Sequence, residues 1–110
     1  MMAYDEGLAE RIRQQLANVS AVTEKKMFGG LSFLVQGNMA CGVIGTDMVV
    51  RVGQDQYAEA MLRPHSREMD FTGRSMKGWV YVGEAGYESD EDLAEWVQLG
   101  LEYALSLPAK

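Results

Sequence analysis

The sequence predicts an α+β fold: one antiparallel sheet of about five strands, a β-meander plus one later strand, packed with N-terminal, middle and C-terminal helices. Three observations predict it. Apolar residues recur at helical spacing near both ends of the chain. Between them, short β-forming runs are separated by glycine-bearing turns every eight to ten residues or so. No segment of this middle region is long enough for the crossover that parallel strands need.

The first helix runs from about Asp5 to Asn18, with Leu8, Ile12, Leu16 and Val19 as its apolar stripe. Asp5 is the expected N-cap. Four strand-like runs follow: Lys26-Met27-Phe28, Leu31 to Val35, Met39 to Ile44, and Met48 to Val52. Gly37-Asn38 is a hairpin-turn signal, and Gly45-Thr46-Asp47 is a second turn. Gln54 to Leu62 reads as a short helix, closed by Arg63-Pro64 because the residue before proline avoids the helical region. Residues 63–75 read as a polar loop. Met76 to Val82 is the fifth strand, rich in β-formers. Ser89 caps the last helix, whose face is traced by Leu93, Trp96, Val97, Gly100, Leu101, Ala104 and Leu105 until Pro108 stops it.

Composition bounds the function. The chain has 110 residues, 47% apolar and 24% charged, which suits one globular domain over residues 1–110 and excludes disordered and fibrous classes. No apolar run approaches the ~18 residues of a membrane-spanning helix. The acidic, polar start lacks the pattern of a secretory signal. A single cysteine, Cys41, permits no intrachain disulfide. Together these features point to the cytoplasm, with no membrane partner.

The chemistry-bearing residues are few. Cys41 lies in a strand interior and reads as a buried small hydrophobe. His65, the one histidine, sits in the polar loop. Asp90, Glu91 and Asp92 open the last helix, where the backbone dipole already accounts for them. Phosphate-binding glycine motifs are absent. No metal, cofactor or catalytic residue is therefore expected, and the chain reads as a non-enzyme.

Charge is the more informative signal. The net charge is −6, from 10 basic and 16 acidic residues. Residues 80–110 carry all of that deficit, whereas residues 1–79 sum to zero. Within 63–77, Arg63, Arg67, Arg74 and Lys77 face only Glu68 and Asp70, and Arg51 on the fourth strand could join them. Arginine suits carboxylate or phosphate binding. The plainer expectation is a solvated loop paired to the acidic last helix. Most of the eight methionines lie in or beside apolar runs, as core filling would place them.

The run Lys26-Met27-Phe28-Gly29-Gly30, then Phe33, Gly37, Met39, Gly42 and Val50-Arg51-Val52, resembles the N-terminal domain of the TfoX/Sxy family. Met69-Asp70-Phe71, Gly73-Arg74 and Met76 to Val82 extend the likeness to roughly residues 8–107. The resemblance implies a compact α+β domain and a link to regulating competence for DNA uptake, acting on transcription alongside a cyclic-AMP receptor protein. Longer members carry a second, C-terminal domain. No catalytic residues are implied. Among matched positions, Lys26, Arg51, Arg74 and Lys77 are polar ones that folding does not obviously require. Phe28, Phe33, Phe71 and Trp79 are expected between sheet and helices, and Gly29, Gly30, Gly37 and Gly73 at turns or close approaches.

The leading expectation is a small regulatory or protein-interaction module with a protein partner. The candidate binding residues are Lys26, Arg51, Arg63, Arg67, Arg74 and Lys77. Direct nucleic-acid binding through these cations, or a small-ligand or enzymatic role with His65 and the arginines lining a cleft, are the alternatives. A meander ends in edge strands, so a homodimer is also a reasonable expectation.

Overall fold

Among the described residues, glycine-bounded apolar runs and two capped amphipathic segments become six strands and four helices. In chain order these are α1 (Glu6–Gln15), β1 (Val22–Met27), β2 (Gly30–Val35), β3 (Asn38–Ile44), β4 (Asp47–Arg51), α2 (Gln54–Met61), β5 (Ser66–Phe71), β6 (Arg74–Val82), α3 (Glu84–Tyr87) and α4 (Asp90–Ser106). The computed structural model describes residues 4–27, 29–71 and 74–110, excepting the side chains of 69–71 and 74–76. Phe28 and Gly73 lie outside the described residues, as do the side chains of Phe71 and Arg74.

Every pairing in the sheet is antiparallel, in the order β1-β2-β3-β4-β6-β5. The expected α+β class and meander are present, with one strand more than expected. The extra strand is β5, inside the segment read as a polar loop. It is an edge strand paired only to β6, so Ser66, Arg67 and Glu68 need no apolar alternation. At the other edge, β1 begins at Val22, four residues before the expected run. Its Thr23-Glu24-Lys25-Lys26 stretch is exposed, and the same physics hid it. The short helix α3 was not anticipated either.

The caps form as predicted. The Asp5 carboxylate accepts a hydrogen bond from the Leu8 amide at 3.1 Å, and the Ser89 hydroxyl accepts one from the Asp92 amide at 3.1 Å. The β2–β3 turn centres one residue earlier than the Gly-Asn signal suggested. Gln36 (φ 53°) and Gly37 (φ 85°) occupy its two central positions, the positive-φ pair of a type I′ hairpin. Asn38 is instead the first residue of β3, is buried, and donates its Nδ2 to the Pro108 carbonyl at 2.9 Å. The Lys110 amide donates to the Gln36 carbonyl at 2.8 Å, so the tail after α4 lies along this turn.

One core lies between the sheet and the helices. Alternate strand residues supply one side: Leu31, Phe33 and Val35 of β2, Cys41 and Val43 of β3, Met48 and Val50 of β4, Val80 and Val82 of β6. Leu8 and Ile12 of α1, Ala60 of α2, Tyr87 of α3, and Leu93, Trp96 and Val97 of α4 supply the other. All four helices thus meet the same face of the sheet. A register shift beside Phe33 lets Ala40 join Cys41 in the core. Gly100 explains how close α4 approaches: a Cβ there would strike the Ala40 carbonyl. Among the described residues, no helix is long and apolar enough to cross a membrane.

Candidate functional site

The opposite face of the sheet carries no helix among the described residues. Strand alternation dictates what it presents. Val49 lies between the core residues Met48 and Val50, is itself 0% exposed, and stands outside the core cluster. Its paired neighbours share its face: Gly42 and Ser32 towards β1, Tyr81 and Arg67 towards β5. Leu34 and Met39 pair one row away, as do Arg51 and Trp79. Ile44 and Asp47 pair in the row on the other side. Leu34, Met39, Ile44, Trp79 and Tyr81 are all partly exposed. A Cβ on Gly42 would lie 3.1 Å from the Met39 terminal methyl, so glycine provides the hollow into which Met39 folds. The result is an open, six-stranded apolar surface rimmed by charge.

Trp79 therefore corrects an expectation. It was placed between sheet and helices, but its register with Arg51 sets it on the open face. Phe33, by contrast, is fully buried in the core as expected.

The candidate cations divide between sites. Arg51 ends β4, with its guanidinium carbon 5.1 Å from the ring centroids of both Trp79 and Tyr103. Arg67 on β5 lies 5.3 Å from the Tyr81 centroid and pairs with Asp47 at 2.7 Å. That carboxylate and the hydrogen bond to it hold the Arg67 guanidinium more firmly protonated than usual. Arg63 lies on the helical side, 4.8 Å over Trp96 and 2.6 Å from Glu95 of α4. This is the pairing to the acidic last helix that the plainer charge reading anticipated. Lys26 and Lys77 are exposed, and Lys26 pairs with the core residue Leu31 across the ladder. Arg74 opens β6, with its side chain outside the described residues. The ladder sets Arg67 on the open face and Arg51 at its margin, at the end of β4 where its guanidinium lies between Trp79 and Tyr103 of α4, and Arg63 lies away from it. It also adds Lys25, which pairs with Ser32 on that face. Lys25 is hidden from sequence reasoning because the charged, exposed edge strand β1 shows no apolar alternation.

The reactive side chains differ in exposure. Cys41 is 0% exposed, and burial pushes its thiol up to about 12. His65 is exposed at a positive φ of 67°. Among the described residues, no cluster of His, Cys, Asp and Glu could hold a metal ion. An open hollow of about 480 Å³ beside the start of α2 is lined by Asp55, Glu102 and Tyr103, and no cation lines it.

This chain is matched over residues 14–104 by the family model of the TfoX N-terminal domain. It belongs to that family, and the match spans most of its 110 residues. Comparison with curated proteins gives no match.

Proposed function

We propose that this chain is a cytoplasmic, non-enzymatic regulatory module that works by holding a protein partner on its open sheet face. The observation that carries the reading is the uncovered face itself. An antiparallel sheet can leave one side to water, but that side is then usually polar. Here Leu34, Met39, Ile44, Trp79 and Tyr81 are partly exposed on one continuous surface around buried Val49. Contiguous apolar surface of this kind marks interaction sites, and aromatic and arginine side chains are the usual anchors. Membership of the TfoX N-terminal family supports a regulatory setting for that contact, in keeping with the competence and transcription roles the resemblance implies.

The test is site-specific photo-crosslinking in living cells. A photoreactive residue at Ile44 or Trp79 should give discrete protein adducts, and one at Gln98 on the outer side of α4 should not. Equal labelling at all three positions, or none at the first two, overturns the reading.

A further inference from the structure

The open face has a charge pattern as well as an apolar surface. One row of paired residues crosses all six strands: Lys25, Ser32, Gly42, Val49, Tyr81 and Arg67. A cation stands at each end, and nothing charged lies between. Five inter-strand steps of about 4.8 Å put those ends roughly 24 Å apart. Arg51 adds a third cation one row away, and Asp47, already paired to Arg67, is the one carboxylate placed there by the β4 ladder. The strands hold six of the chain's ten cations and four of its sixteen carboxylates. The sheet is thus locally positive in a protein of net charge −6.

We infer that this face takes a short acidic peptide segment of a partner protein, with carboxylates near both ends and apolar residues between. The inference rests on the docking role proposed above and specifies its chemistry. Lys25 and Arg67 meet the terminal carboxylates, and the apolar centre covers Val49, Met39 and Tyr81. Arg51, over Trp79, pairs with no carboxylate among the described residues, whereas Arg67, over Tyr81, already gives both terminal nitrogens to Asp47 and offers a second carboxylate only its remaining N–H groups. A second copy of this chain fits poorly face to face, because a two-fold pairing sets the end cations Lys25 and Arg67 against each other or against themselves. A single strand of nucleic acid fits less well. Its bases need open ring faces for stacking, whereas both rings already carry a guanidinium.

The experiment uses the full chain and its own fluorescence. Trp79 is partly exposed and Trp96 is buried, so a ligand on the open face acts on Trp79. The probe is a tryptophan-free nine-residue peptide with two aspartates at each end and five Leu and Phe residues between. It should produce a saturable change in emission at physiological salt, and the change should vanish in Trp79→Phe. The same peptide with lysine ends should give none. Lys25→Glu, at an exposed edge position that leaves folding intact, should weaken the aspartate peptide about fivefold and admit the lysine peptide. No saturable change up to millimolar aspartate peptide overturns the inference. So does tighter binding of a twelve-residue oligothymidylate, or a signal that tracks self-association in sedimentation. Crosslinks at Ile44 without peptide binding would leave the docking role standing and remove only the acidic segment.

Discussion

Cys41 shows how burial alone decides what a reactive side chain does. Its thiol has no exposed surface, and desolvation raises it from an ordinary value near 9.0 to about 12. Native protein should therefore resist thiol-specific alkylation at pH 8 and become labelled only on unfolding, as mass spectrometry of time courses would show. The sign of the pH effect follows. The folded thiol holds its proton where the unfolded thiol has lost it, so this contribution is whole below pH 9 and is lost as pH rises towards 12. Tyr87 acts the same way. Burial, then the nearby carboxylates of Asp5, Glu84 and Asp47, raise its hydroxyl from 10.0 to about 12, while it donates to the Thr46 carbonyl at 2.6 Å. Thermal melts from pH 8 to 11 should show steadily falling stability, and a flat profile would contradict both assignments. Cys41 was legible in the sequence because a lone cysteine among apolar strand residues has little else to do. Trp79 was not, because its face depends on a ladder register that composition does not encode.

At the scale of elements, close approach and turn geometry make opposite predictions for two single substitutions. Gly100→Ala would gain about 1 kcal/mol of helix propensity on an exposed helix. Here the new methyl meets the Ala40 backbone carbonyl, which cannot swing aside as a side chain could. Overpacking of this kind costs about 1–3 kcal/mol, so a net loss is expected in urea denaturation. Gln36→Asn should do the reverse. Gln36 holds a positive φ of 53° beside Gly37, and Asn-Gly is the favoured pair for such a turn. A gain of up to about 1 kcal/mol is expected, since asparagine tolerates the left-handed region better than glutamine. The central strands and the capped helices could be read from the sequence because burial imposes their pattern. Both edge strands were misjudged, since an edge carries charge to discourage pairing and so imitates a loop. The polar stretch from Ser66 to Glu68 and the Glu24-Lys25-Lys26 stretch are the two instances.

The whole molecule is electrically two-sided. The helices and the segments flanking them hold twelve of the sixteen carboxylates and only four of the ten cations. The molecule is 29 to 34 Å across, several times the roughly 8 Å screening length at physiological salt, so each side acts on its surroundings largely alone. The two tryptophans can report this. Iodide should quench Trp79, beside Arg51, far more than caesium does, and neither should reach Trp96, which is 1% exposed. Equal quenching by the two ions would contradict the local positive field. The segment-wise charge count anticipated this division but placed its positive side in a loop containing Arg63. In the folded chain that residue is drawn to Glu95, and the positive side belongs to the sheet.

The arrangement of all four helices on one side of the sheet has a consequence for how the sequence can drift over time. Along each central strand, successive residues answer to different demands. Met48 and Val50 are constrained by the core, whereas Asp47 and Arg51 are constrained by whatever the open face meets. On the docking role proposed above, specificity can then be rewritten at alternate positions while the fold stands unchanged.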